Sequence, residues 1–357
     1  MKKFLALFLV LAMMLPCISI ASAESAPKIA LITDVGTIDD ESFNQACWQA
    51  VEAYGKANNI EYTDYQPTAD TTDARLVKID QAVNEGATII VMPGYLFGAT
   101  LVTCQEDYPE VTFIAVDVGA GDLTLDYVTY VEPAENVVCI TFSEEQAGFL
   151  AGYAAVKDGY TKLGFLGGMA VPAVIRYGYG FVQGVDKAAA ELGIQCEVNY
   201  TYGGQFYGDA AITAKMEGWY GAGTEIVFAC GGGIYTSAVE AAHKYDGKVI
   251  GVDVDQYYID ECIVTSAMKG LQNVTETILT EYYAGNWDTY GGKVTNYSLL
   301  EGEYVGLPTA EGSWRFDSFT LADYTVIHDA VKEGTVVVSN DVENAPVVTN
   351  STVYYIQ

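Results

Sequence analysis

Histidine is almost missing from this chain: His243 and His328 are the only two in 357 residues. Neither stands in the aspartate- and glycine-rich segments described below, so no Ser–His–Asp or Cys–His arrangement can be assembled there. Basic residues are scarce too, 17 Lys and Arg against 47 Asp and Glu, for a formal net charge of −30. A field of that sign repels phosphate backbones and anionic lipid, and it leaves no basic patch for nucleic acid. It also disfavours nucleotides and sugar phosphates as ligands. None of the seven cysteines forms a Cys-x-x-Cys pair, and no histidine cluster accompanies them. Neither a metal site nor a cofactor is therefore expected. Beyond the N-terminus no apolar run approaches the roughly 20 residues that span a bilayer.

The N-terminus reads as a secretory leader over residues 1–23. Lys2 and Lys3 form its basic start, Phe4 to Leu15 its apolar stretch, and Ala21-Ser22-Ala23 the small-residue cleavage site before Glu24. Cys17 raises the question of lipidation, but Pro16 stands where a small residue normally precedes a lipidated cysteine. An exported protein, in a periplasm or at the outer face of the membrane, is expected, with a lipid anchor as the lesser alternative. Six cysteines then remain: Cys47, Cys104, Cys139, Cys196, Cys230 and Cys262. Cys139 and Cys230 lie in apolar strand-like runs, where a free thiol behaves as a small hydrophobe. Export ordinarily favours disulfides; here mostly free thiols are expected, in a source that lives without oxygen.

What the chain does contain is a repeat. Gly86–Gly94 is echoed by Gly223–Gly232, and each copy continues through a helix-like stretch into an apolar run that ends in an aspartate, Asp117 or Asp253. Upstream, Lys28–Ile32 and Lys162–Leu166 match as well. Strands alternating with helices imply right-handed crossovers and a parallel sheet. The chain thus reads as α/β, with two Rossmann-like parallel-sheet lobes joined by a hinge. Ligands bind beyond the carboxyl ends of such strands, so the two lobes should face each other across a cleft. The expected division is 27–140 plus about 256–290 for lobe one, and 141–255 plus about 291–345 for lobe two, with the run Ile263–Lys269 returning to lobe one.

The loops that should converge on the cleft are 34–44, 93–99 and 117–121 in lobe one, and 167–176, 203–208, 231–237 and 253–256 in lobe two. Asp39 and Asp40 precede a helix, where capping and dipole compensation are the ordinary roles. Phe43, at the helix start beside Asn44, has a counterpart in Phe206 within a glycine-rich loop. An aromatic can stack on a flat ligand while an amide both donates and accepts. The Gly231–Gly233 run lacks the Lys-Ser/Thr of a phosphate loop; close backbone approach to a ligand and a plain tight turn are equally open. These features suggest a planar, hydroxylated, uncharged ligand.

Thr33-Asp-Val-Gly-Thr-Ile-Asp-Asp-Glu-Ser-Phe-Asn-Gln45 resembles the N-terminal signature of the basic membrane protein family, substrate-binding components of ABC importers with the type I periplasmic-binding fold. Ile250-Gly-Val-Asp-Val-Asp-Gln256, with Thr265–Gly270, resembles a second signature. Gly204-Gln-Phe-Tyr-Gly-Asp209 resembles a third, with Gln205 where a small polar residue is usual. The resemblance spans essentially the whole chain after the leader. It implies a non-enzymatic receptor for a purine nucleoside or similar small ligand, working with membrane permease and ATPase subunits. It implies Phe43 and Phe206 on either side of the base, Asp34, Asn44 and Asp117 on base edges, and Asp253 with Lys269 on the ribose, the Gly232 backbone nearby. A sugar or other metabolite receptor of the same fold remains the alternative. A nucleoside or glycoside hydrolase and a signalling receptor are more distant ones.

Overall fold

Runs such as Lys28–Ile32, Ile89–Pro93 and Thr112–Val116 are buried along their whole length, as parallel strands covered on both faces must be. The computed structural model describes residues 27–356; the expected leader and Cys17 lie outside them. The first lobe opens with β1 (Lys28–Ile32), α1 (Phe43–Asn58), β2 (Glu61–Tyr65), α2 (Thr72–Asn84), β3 (Ile89–Pro93), α3 (Phe97–Asp107), β4 (Thr112–Val116) and β5 (Val137–Phe142). The second follows with α4 (Glu144–Asp158), β6 (Lys162–Gly167), α5 (Pro172–Leu192), β7 (Cys196–Tyr202), α6 (Ala210–Gly221), β8 (Ile226–Cys230), α7 (Tyr235–Tyr245), β9 (Lys248–Asp253) and β10 (Ile263–Lys269). The chain returns to the first lobe for α8 (Leu271–Tyr283) and β11 (Lys293–Tyr297). It ends in the second with β12 (Val305–Gly306), α9 (Leu321–Lys332) and β13 (Ser351–Tyr355).

The first sheet runs β11-β5-β4-β3-β1-β2 and the second β12-β10-β9-β8-β6-β7-β13. All pairings are parallel except that of β12 with β10. The edge strands β2 and β11 are polar, β2 mostly half-buried and β11 mostly exposed, and polar edges discourage further pairing. The order β2-β1-β3-β4-β5 matches β7-β6-β8-β9-β10, so the repeat extends one strand beyond the aspartates. After that fifth strand each lobe gives a helix to the other. The helix following β5 packs along α5, and the helix following β10 packs against α1.

This corrects the expected exchange points. Ile263–Lys269 stays in the second sheet, with Ser266 opposite Gly251, while β11 extends the first. The reason is burial: β9 is covered almost throughout and needs a strand on its outer side. Residues past 345 also stay with the second lobe, through β13 on β7.

Helices α4 and α5 meet backbone to backbone. A Cβ added at Gly180 would lie 1.9 Å from the Glu145 carbonyl oxygen, and one at Gly148 would lie 2.1 Å from that of Tyr177. That approach brings the N-terminal turns of both helices together beside the cleft. The six cysteines among the described residues are free and buried. Among the described residues no helix is long and apolar enough to cross a membrane.

Candidate ligand-binding cleft

The carboxyl ends of both sheets face a shared cavity of about 770 Å³, within the range of small-molecule sites. Asp34, Phe43, Asn44, Asp117, Phe206, Gly232, Asp253 and Lys269 all line it. Each is delivered by a local feature of the chain.

Asp117 and Asp253 follow or end matching strands in the left-handed region, φ 60° and 66°, a conformation that aspartate tolerates better than most residues. Lys269 closes β10 and is 5 % exposed. Its ammonium ion-pairs with Asp117, lies 3.4 Å from Glu144 Oε1 and 3.7 Å from Asp253 Oδ1, and sits 4.7 Å from the centre of the Phe43 ring. Glu144, fully buried, also takes Arg176 Nε at 2.6 Å. Burial and the Asp117 charge oppose each other at Lys269, and the net effect raises its pKa. Burial pushes the Asp117 and Asp253 carboxyls up, with Lys269 opposing. Burial would raise Glu144 as well, but Arg176 and Lys269 hold it down.

The turn before α1 is organised by Asp40, not by the Ser42 side chain. The Asp40 carboxylate accepts from the backbone N–H groups of Ser42, Asn44 and Gln45 at 2.9–3.1 Å, and burial raises its pKa to about 6. Asn44 Nδ2 donates to both Asp34 (3.3 Å) and Asp40 (3.1 Å). With both amide donors directed at carboxylates, Asn44 Oδ1 is left without a partner, as are Asp117 Oδ1 and the Tyr177 hydroxyl. Asp39, by contrast, is exposed.

Phe206 rests on a bed of glycine. Added Cβ atoms at Gly168 and Gly231 would lie 2.4 and 2.9 Å from its Cδ1, and Gly233 N donates to its carbonyl at 2.8 Å. The Gly231–Gly233 run therefore makes a tight turn, φ 143° at Gly231 and 50° at Gly232, and its closest approach is to the Phe206 loop. Tyr202, just before that loop, ends β7. The two lobes also touch directly: Ser42 Oγ donates to Asp253 Oδ2 at 2.7 Å, Gln256 Nε2 donates to the Glu41 carbonyl at 2.8 Å, and the Tyr258 hydroxyl meets Glu41.

Glu144 and Tyr177 were not singled out from the sequence, and Arg176 only closed the expected cleft loop 167–176, of which the part from Pro172 on is the start of α5. Glu144 opens a helix, where acids are common in any protein. Arg176 and Tyr177 fall inside the apolar-looking start of α5. Only the close packing of α4 on α5 could have marked them, through the glycines spaced four apart at 148 and 152 and at 180 and 184.

Two parallel-sheet lobes with three crossings and a cavity between their strand ends define the type I periplasmic-binding-protein fold. Solved structures of that architecture agree in fold. An ABC-system solute-binding protein from Aeropyrum pernix superposes with a TM-score of 0.70 at 20 % identity, covering 89 % of this chain and 88 % of that one. The Lac repressor bound to ONPG superposes at 0.55 and 13 %, covering 80 % and 81 %. The family model for ABC transporter substrate-binding proteins of the PnrA-like kind matches residues 26–336, and this chain belongs to that family. It is a transporter substrate-binding protein and not an enzyme. Among relatives, it is 26 % identical over 298 residues to the ABC transporter nucleoside-binding protein BmpA of Lactococcus lactis, covering 77 % of this chain and 80 % of that protein. It is 30 % identical over 294 residues to basic membrane protein A1 of Borrelia garinii, covering 81 % and 82 %.

Proposed function

We propose that the cleft captures a purine nucleoside and presents it, outside the cytoplasm, to the permease of an ABC importer driven by its ATPase subunits. One observation carries the reading. Two half-buried aromatics, Phe43 from one lobe and Phe206 from the other, line a cavity whose lining residues Asn44, Asp117 and Tyr177 each carry a buried polar atom without a protein partner. Flat rings suit a base, and buried polar atoms without partners suit a ligand that supplies them. Asp34, Asn44 and Asp117 take the base edges. Asp253, Lys269 and the Gly232 backbone take the ribose hydroxyls. The lining carries Asp34, Asp39, Asp40, Asp70, Asp117 and Asp253 against Lys269 alone, which disfavours a phosphate. The relative named as nucleoside-binding supports the same ligand class.

Calorimetric titration with inosine, adenosine, guanosine, cytidine, uridine, ribose, galactose and inosine monophosphate tests this. Purine nucleosides are expected to bind without turnover, and ribose and the monophosphate to bind far more weakly. Heat with the sugars and none with any nucleoside would overturn the base assignment and leave a sugar receptor of the same fold.

A further inference from the structure

The cleft lies at the carboxyl ends of the strands. At the opposite end of the second sheet the fold gathers three residues of different chemistry. His243 stands in the last turn of α7, and Asp260 and Cys262 lie in the connection from β9 to β10. His243 Nε2 is 2.8 Å from Asp260 Oδ2. One donor atom from each of the three residues lies within 4.8 Å of the others. We propose that these residues bind a divalent transition-metal ion of zinc's class, through an imidazole nitrogen, a carboxylate oxygen and a thiolate sulfur, with water as the fourth ligand.

The donor set fits that class and no other common one. Borderline ions take nitrogen, sulfur and oxygen together in a tetrahedron, whereas calcium and magnesium require oxygen throughout. The site is also pre-arranged. Asp260 Oδ1 accepts the Cys262 backbone N–H at 2.9 Å, leaving Oδ2 to face the histidine, and Arg315 Nη1 holds the Asp260 carbonyl at 2.7 Å. Such outer contacts fix the orientation of a ligand. Access is provided by His243, whose side chain is 58 % exposed. Cys262 is 8 % exposed, while the other five free cysteines show 1 % or less. The remaining histidine, His328, directs its ring nitrogens at two carboxylates, Glu303 and Asp329, with no sulfur of the described residues beside them. The strongly negative field of the whole chain raises the local concentration of cations.

On binding, a sulfur–metal bond forms and the thiol proton leaves to solvent; no oxidant or reductant takes part. The ion would clip the end of α7 to the entry of β10. Tyr235 begins that helix, Lys269 ends that strand, and both line the cleft.

The test uses the protein without its leader, stripped with chelator and kept reduced. Zinc is titrated in competition with a chromogenic chelator, and cobalt(II) is followed by absorption. One equivalent should bind, and cobalt should give a thiolate charge-transfer band with the visible spectrum of a tetrahedral centre. Cys262→Ser should abolish that band. His243→Ala, at an exposed position, should weaken binding by more than the roughly 10–100-fold that loss of an outer partner costs. No cobalt–thiolate band in the unsubstituted protein would overturn the proposal without reference to any variant. So would zinc binding unchanged by both substitutions, which marks scattered surface carboxylates.

Discussion

Asp117 and Asp253 occupy the same place in the two repeats, and each adopts the same uncommon backbone conformation. Both are buried and both are near Lys269. Their remaining contacts differ. Asp253 accepts the Ser42 hydroxyl from the opposite lobe at Oδ2, while its Oδ1 faces Lys269 of its own lobe. Asp117 meets Lys269 with one oxygen and keeps the other without a protein partner. The repeat supplies a position, and the element facing that position supplies the role. For Asp253 that element is the start of α1; for Asp117 it is the end of β10. Both aspartates thus bridge the lobes, Asp253 through Ser42 and Asp117 through Lys269, and Asp117 differs in the oxygen it keeps without a protein partner.

The severest way to break this contrast is to remove the cation both share. Lys269→Met leaves Asp117, Glu144 and Asp253 buried, with Arg176 held by Glu144 alone. Breaking a buried pair in this manner costs about 3–5 kcal/mol. Urea denaturation should register that loss, and the ligand should no longer bind. Adding Asp117→Asn should recover part of the stability but not the binding. A Lys269→Met protein as stable as the original would show that the buried cluster is wrongly described.

The next pair separates the two roles. Asp117→Asn should weaken ligand binding while leaving stability level or slightly higher, because burial already disfavours that charge. Ser42→Ala should do the reverse at the start. It removes a hydrogen bond to a charged group, about 1.5–3 kcal/mol, so stability falls and affinity follows only through closure of the lobes. Small-angle scattering alongside calorimetry distinguishes these outcomes. Equal effects from both substitutions would erase the distinction between the aspartates.

The sequence made the positions legible and left the roles hidden. Buried runs such as Ile29–Ile32 and Ile226–Cys230 have no polar face, so strand and layer could be read directly. The recurring aspartates then located the cleft. Lobe membership of β10 was not legible, because seven mostly apolar residues look alike in either sheet and only pairing with β9 decides. The roles of Glu144 and Arg176 were equally hidden. Their significance arises from the backbone contact of α4 with α5, a relation between residues more than 30 positions apart. His243 and Cys262, 19 positions apart in the chain, meet for the same kind of reason.

Acidity offers a smaller test, directed at the turn before α1 and the start of α4. Burial raises Asp40 from 3.8 to about 6 and Glu145 from 4.5 to about 7. A raised carboxyl contributes stability that is complete below its unfolded pKa and lost as pH rises through the folded one. The protein should therefore melt at a higher temperature near pH 5 than near pH 8. Glu144 and Glu191 have lowered values, so their contribution is present above about pH 4.5 and does not cancel the gain. A melting temperature that falls from about pH 8 to pH 5 would mean that Asp40 and Glu145 are not desolvated as packed here.

The smallest expected effect belongs to the rim of the cleft. Tyr258 also bridges the lobes, through its hydroxyl to Glu41, but its ring is 56 % exposed. Water competes for that bond in a way that it cannot at the buried Ser42–Asp253 contact. Tyr258→Phe should therefore cost less than about 1 kcal/mol, with ligand affinity nearly unchanged. Ser42→Ala and Tyr258→Phe each delete one hydroxyl-to-carboxylate bond between the same two lobes, so the ratio of their effects isolates burial. Comparable losses would place the closing force at the rim, and the Asp253 contact would then be incidental to it.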